Sequence, residues 1–472
     1  MKRIAIIGGG ISGLAAAFVL QKQKRDGAPL EYVVFESGSR FGGVIHTGSE
    51  NDCVLEAGPD SFLSEKSSAS DLCRELGLGD QLIGSNDAER KTYILLKNRL
   101  TPLPEGLLFM VPTRVLPAFF SPLFSWRTKL RMIGEWFSRA NRSSVDTSVA
   151  EFVSRHYGRE MVERVADPLL AGVYGGSADD LSVHSVLPRF AEIEASQGSL
   201  GRGLVNSRPS RQGAASRPLF TSLKHGMQQM TDALLAQIPD SSRRLNTSIE
   251  SVAPESGKWL VVSAGRTEEF DGVILAVPAH AAAEMLVHVN TELAASLNAI
   301  PYSSSVTVVL AYDQKTRSTL PAGFGFLVPR TEGRRILAAT FVHNKFRHRA
   351  PENLALIRCF LGGTRDKGVL ECTDDEIRIL VCHELHEILG IGAEPVFVRI
   401  YRWKHAMAQY GVGHRTRVGR IRELVAGMPG LAVAGNAYAG IGVPDCVRSG
   451  TEAAGNVLAG LGVGRSASHS PP

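Results

Sequence analysis

The chain has 472 residues, 44% of them hydrophobic and 21% charged, which excludes a disordered protein and exceeds one ordinary core, so two or three domains are expected. Its formal net charge of +5 is small and spread out; it suits an anionic ligand or membrane surface and argues against a nucleic-acid binder. Six cysteines (Cys53, Cys73, Cys359, Cys372, Cys382, Cys446) lack a CxxC pair, which speaks against a disulfide framework or zinc site, and no apolar run approaches the roughly 18 residues of a spanning helix.

Residues 3–7 read as a strand, Gly8-Gly9-Gly10-Ile11-Ser12-Gly13 as a glycine turn, and the following residues through Leu20 as an apolar helix. A second strand, 32–35, ends on Glu36. Gly8 makes the tight turn, Gly10 lets the backbone approach a pyrophosphate, and Gly13 lets helix and strand pack closely. The helix start offers free N–H groups to phosphate, and Glu36 is placed to accept from ribose hydroxyls. No leader-like stretch precedes the first strand, and the expectation is a cytoplasmic protein, peripheral on the cytoplasmic face of a membrane. The next residues, Ser37 to Gly43 with Arg40, Gly42 and Gly43, let the chain pass the nucleotide a second time. This stretch resembles the second glycine motif of the flavin-containing amine oxidase superfamily, which implies FAD.

Farther on, a short strand ends in the turn Glu56-Ala57-Gly58-Pro59, followed by Asp60 and Ser61. A helix is expected over 67–76 with Gly77 closing it, and a hairpin over 90–103 turning at 97–99. No acidic residue stands between Glu105 and Glu135, an interval holding Arg114, Arg127, Lys129 and Arg131 among Phe109, Phe119, Phe120, Phe124 and Trp126. Such a stretch suits a membrane interface, and an ordinary core segment is the plainer alternative. Helix is expected over 149–157 and 161–166, stopping before Pro168, with 168–176 a small-residue loop that lets backbone touch a ligand. The acid-free, Ser/Gly/Arg-rich run around 202–217 reads as a mobile surface loop.

A helix over 228–237 precedes a meander of strands at 249–252, 259–263 and 272–277. Strands at 306–311, 325–328, 336–341, 355–361 and 396–401, with one helix over 374–389, predict a mixed, mostly antiparallel sheet. His383 and His386 are three apart, one short of the zinc-protease spacing, so no metal is expected. Finally a strand at 431–434 enters a glycine-rich loop with Gly435, Gly442 and Val443, and a helix starts at Pro444. Its free N–H groups suit negative charge on a reduced flavin.

Six stretches together, 8–18 (GGGISGLAAAF), 56–63 (EAGPDSFL), 168–176 (PLLAGVYGG), 323–329 (GFGFLVP), 402–410 (RWKHAMAQY) and 440–447 (GIGVPDCV), make the chain similar to the oxygen-dependent protoporphyrinogen oxidases and the related bacterial coproporphyrinogen III oxidases. One departure is Val44, where many superfamily members carry a basic residue. The resemblance implies six-electron oxidation of a porphyrinogen in haem biosynthesis, with FAD passing electrons to dioxygen. It implies an α/β fold: a Rossmann-type FAD domain built from 1–89, 219–300 and 411–463, a mixed-sheet substrate domain over 301–410, a helical membrane-associating region over 90–218, and a flexible tail, 464–472. Phe324, Leu327 and Phe360 would line an apolar slot, Arg90 would pair with a propionate, and the Gly172 carbonyl would orient the macrocycle. Gly58, Pro59, Asp60, Ser61, Val252 (beside the adenine) and Trp403 would join the glycine motifs around FAD. No side-chain general base is expected. The Arg90 pairing and the aromatic slot favour protoporphyrinogen IX, with coproporphyrinogen III as the alternative. A flavin amine oxidase, with Cys446 near the flavin loop, an isoprenoid desaturase and a non-catalytic tetrapyrrole-binding flavoprotein stand further off. A homodimer stands among the expected partners.

Overall fold

Strand Lys2–Ile7 is the middle strand of a five-stranded parallel sheet in the computed structural model, which describes residues 1–142, 145–206 and 218–463. The order is Arg243–Arg244, Leu30–Phe35, Lys2–Ile7, Gly272–Leu275, Leu431–Val433, so strands from remote parts of the sequence lie side by side. Period-two alternation splits the first strand between two cores. Ile4 and Ile6 pack with helices Ile11–Arg25, Gln228–Gln237 and Val443–Gly460, whereas Ala5 and Ile7 pack with helices Ala279–Leu286, Thr291–Asn298 and His414–Ala426. Helices Ile11–Arg25 and Val443–Gly460 touch backbone to backbone: a Cβ on Gly450 would lie 2.0 Å from the Ser12 carbonyl oxygen.

The second sheet has seven strands in the order Phe397–Ala408, Tyr302–Asp313, Leu354–Gly362, Ile336–Phe341, Gly325–Leu327, Thr92–Leu96, Arg99–Pro102. All neighbours are antiparallel except Gly325–Leu327 beside Thr92–Leu96. The terminal hairpin turns through Lys97 and Asn98, both left-handed at φ 52° and 60°, as a tight two-residue turn requires. Helix Asp374–Leu389, started by a Thr373/Glu376 capping box, covers one face with Ile377, Val381, Leu385 and Ile388. Within it Glu384 accepts from the backbone N–H groups of Arg335 (2.8 Å) and Ile336 (2.9 Å), a sheet-to-helix tie.

The structure corrects several expectations. Pro168 does not end a helix: a π turn, Val162–Ala166, runs into helix Asp167–Tyr174, and residues 168–174 are helical rather than loop. The wider turn leaves room for the proline ring where a regular turn would clash. Arg202 belongs to helix Leu200–Asn206, held by the buried Glu135 carboxylate, which accepts from Ser199 Oγ (3.0 Å) and the Leu200 and Gly201 N–H groups. The rest of that expected loop, 207–217, and the tail, 464–472, lie outside the described residues. Gly272–Leu275 is not part of the meander; Arg266–Phe270 takes its place beside Lys258–Ser263.

Candidate functional site

A cavity of about 1610 Å³ runs between the two sheets, larger than the roughly 300–1,000 Å³ of a single-ligand pocket. One end is the glycine turn. A Cβ on Gly8 would sit 2.4 Å from the Ala276 carbonyl oxygen and one on Gly13 1.9 Å from the Gly8 carbonyl oxygen, so packing demands both glycines. Gly10 differs: a Cβ there would meet nothing nearer than Gly43 Cα at 4.0 Å. The fold itself leaves that space open, on the cavity side of a helix whose N-cap has no side-chain partner. This is a fitting cradle for a pyrophosphate. Glu36 lines the same end and is fixed by the N–H groups of Gly9 (2.8 Å) and Gly38 (2.7 Å), with lone pairs remaining for ribose hydroxyls.

The three expected FAD-binding segments meet here. Ser12 Oγ donates to the Cys446 carbonyl at 2.9 Å, tying the first helix start to the last. Gly42, Gly43, Gly435, Gly442, Val443 and Pro444 all line the cavity. Helix Val443–Gly460 likewise begins without a side-chain cap. Asp445 in its first turn is nearly buried between Lys66 (2.6 Å) and Arg448 (3.2 Å). Tyr410 Oη accepts from Gly440 N–H (2.8 Å) and donates to the Asn436 carbonyl (2.6 Å), pinning the glycine loop from the second sheet. His414 stacks on the Tyr410 ring at 4.0 Å; burial and nearby Arg417 push it down to about 4, so it is neutral near pH 7.

Opposite lies Ala57–Ser61. Trp403 Nε1 donates to the Ala57 carbonyl at 2.9 Å, and the Arg358 guanidinium donates to the Gly58 carbonyl. Both grips come from the sheet side, and Gly58, Pro59, Asp60, Ser61 and Trp403 face the cavity. Beyond them Phe324, Leu327 and Phe360 form an apolar wall with Leu169, Ala338 and Gly172. Gly172 lies in the last turn of helix Asp167–Tyr174, where carbonyls lack an intrahelical donor.

Five expected site residues sit elsewhere than on the cavity wall. Arg90 is exposed at the end of the 3-10 turn Asp87–Glu89, and Thr92 takes the wall position. Val252 is buried in strand Ser251–Glu255 with its side chain in the core, while Thr247, Ser248 and Ile249 form the lining. Gly9 is covered by the Phe41 ring, Gly13 serves packing, and Arg40 ties its own loop by donating to the carbonyls of Phe41 and Ile45 (each 3.1 Å). The sequence reading missed Lys66, Lys345, Arg358, Lys404, Arg415 and Arg422, all on the wall. Only Lys404 lay in a stretch already singled out. Cys446 is buried, and burial pushes its thiol up to about 12, which leaves it a poor nucleophile.

The profile of the flavin containing amine oxidoreductase family matches residues 11–458. A coproporphyrinogen III oxidase from Bacillus subtilis (strain 168) is 34% identical, aligning 96% of this chain with 97% of its own. A mitochondrial protoporphyrinogen oxidase from Nicotiana tabacum is 28% identical over 96% and 94% of the two chains. The crystal structure of a proposed protoporphyrinogen oxidase from Exiguobacterium sp. 255-15 superposes with a TM-score of 0.87 at 30% identity, covering 98% of this chain and 99% of that one.

Proposed function

Because this chain belongs to the flavin containing amine oxidoreductase family and is an FAD enzyme, we propose that it oxidises coproporphyrinogen III to coproporphyrin III in haem biosynthesis, with dioxygen as acceptor. The balance is three two-electron steps: six hydrogens leave the macrocycle and three dioxygen molecules become three hydrogen peroxide. When bound, FAD supplies the hydride acceptor for each step. The chain's own residues bind and orient. Gly8, Gly10, Ser12, Gly42 and Gly43 would hold the nucleotide, Glu36 its ribose, and the uncapped start of helix Val443–Gly460 the ring edge that gains negative charge. Phe324, Leu327 and Phe360 hold the macrocycle by apolar contact, and the Gly172 carbonyl accepts from a pyrrole N–H.

The observation that carries the choice of substrate is the charge on the cavity wall. Lys404, Arg415 and Arg422 are exposed on it without an ion-pair partner among the described residues, and outnumber the two acids in the same situation, Glu192 and Glu284. Coproporphyrinogen carries four propionates and protoporphyrinogen two, so a cation-rich wall favours the tetra-acid. Arg90, off the wall, offers a propionate of protoporphyrinogen no partner there. The apolar slot still supports protoporphyrinogen as the second reading. Anaerobic mixing with each porphyrinogen discriminates. Faster bleaching of the flavin band with coproporphyrinogen III is expected; faster bleaching with protoporphyrinogen IX reverses the choice, and no bleaching with either ends the oxidase reading.

The reading includes peripheral membrane contact. It is supported by exposed Leu116, Phe120, Trp126, Leu130 and Phe137 on and beside helices Val115–Phe120 and Trp126–Glu135, joined by ring contacts among Phe119, Phe120 and Trp126. Lys129 lies over Trp126 at 5.1 Å, the pairing of ring and cation that suits a headgroup layer. Among the described residues no helix is long and apolar enough to cross a membrane.

A further inference from the structure

Behind Ala57–Ser61 lies a knot of five buried charged side chains. Glu56 pairs with Arg349 (3.0 Å); Asp60 pairs with Lys345 (2.9 Å) and lies 3.9 Å from Arg358. Glu56 also accepts from Met227 N–H (2.8 Å) and Thr47 Oγ (2.8 Å). Three cations face two carboxylates, a surplus of one positive charge. A void of about 10 Å³ lined by Glu56, Asp60, Arg349 and Arg358 has room for no more than about one water. A buried surplus charge is costly unless something nearby compensates it. Asp60, Lys345 and Arg358 line the cavity, so the compensation belongs there.

The geometry also says how the charge acts. Lys345 Nζ spends all three donors on Asp60 Oδ1 (3.0 Å), Asp60 Oδ2 (2.9 Å) and Ser61 Oγ (3.0 Å), and its cation lies 4.5 Å from the Phe220 ring centroid. Arg358 Nη2 is held by the Gly58 and Ala57 carbonyls, with its Cζ 4.7 Å from the Phe360 ring centroid. Lys345 has no donor left for a further carboxylate, and the one Arg358 donor without a partner, Nε–H, is buried, so they act by position and field. We propose that Lys345, Asp60 and Arg358 are positioning residues that set the reduction potential of the bound flavin: they hold Ala57–Ser61 against the cofactor and supply a buried positive charge that favours its anionic, reduced form. This rests on FAD occupying the cavity and not on which porphyrinogen is oxidised.

The test uses FAD-loaded protein and no porphyrinogen. The midpoint potential of the flavin and its affinity for sulfite, which adds to give an anionic adduct, are measured in Lys345→Met, Asp60→Asn, the double variant and Lys345→Arg. Lys345→Met removes a positive charge and should lower the potential and weaken sulfite binding roughly tenfold, the size of a unit-charge effect near 10 Å at an effective dielectric of about 20. Asp60→Asn should shift both in the opposite direction, the double variant should return near wild type, and Lys345→Arg should stay there. If all variants keep the wild-type potential in their flavin-bound fraction while losing only thermal stability or FAD content, the knot is structural and the proposal is overturned. Shifts of the same sign in Lys345→Met and Asp60→Asn overturn it too. Should Lys345→Met fail to fold, Asp60→Asn still decides by its sign.

Discussion

Gly10 and Gly13 stand in one turn and are glycines for different reasons. Gly13 has no room for a side chain, since a Cβ would lie 1.9 Å from the Gly8 carbonyl oxygen. Gly10, at φ −73°, has ordinary backbone geometry and open space. Gly10→Ala should therefore fold with near wild-type secondary structure and lose FAD affinity by about tenfold or more, read by flavin fluorescence titration. Gly13→Ala should destabilise the protein by several kcal/mol, on the order of an overpacked core, and be recovered largely insoluble. The close packing at Gly13 was legible in the spacing alone. Arg90 and Val252 lie off the wall for different reasons: Arg90 ends a 3-10 turn two residues before Thr92, which lines the cavity, and Val252 sits in a strand with its side chain turned into the core.

At the scale of the element, helix Trp126–Glu135 has two ends with different tasks. Its exposed side carries Trp126 and Leu130, and its last residue, Glu135, is buried. Replacing Phe120, Trp126 and Phe137 together by Ser should abolish co-sedimentation with anionic phospholipid vesicles and leave the flavin spectrum unchanged. Glu135 meets His156 Nδ1 at 3.3 Å, and Glu194 meets its Nε2 at 3.1 Å, with Arg155 also on Glu194. Burial alone would lower the His156 pKa, but the two carboxylates outweigh it and the net shift is upward. A raised folded-state pKa contributes stability that is fully present below the unfolded value of about 6.5 and is lost as pH rises through the folded value. Melting temperatures taken upward from pH 6 should fall across that window, and His156→Gln should flatten the fall. The acid-free run marked the region as distinctive, but this hub depends on contacts between residues far apart in the chain.

Across the whole molecule, residues of three separated segments line one cavity, so on the proposed reading FAD should act as a clamp on the fold. Removing it should lower the melting temperature, and added FAD at about a thousandfold over its dissociation constant should restore roughly 4 kcal/mol. Calorimetry at a series of FAD concentrations checks this; a melting temperature indifferent to FAD would contradict it. Local spacing was enough to read the glycine turn after the first strand, the hairpin at 97–99, helix Asp374–Leu389 and the helix start beside Pro444, because each is governed by neighbours a few residues away. Pattern also announced a mixed antiparallel sheet. What it could not announce was the charge around the cavity. Lys345, Arg358, Arg415 and Arg422 sit in stretches without any motif, and they reach one wall because strands and helices remote in the chain pack together there. The short stretches thus determine the glycine turn and the local elements, while the set of charged side chains on the cavity wall arises from long-range packing that no short stretch encodes.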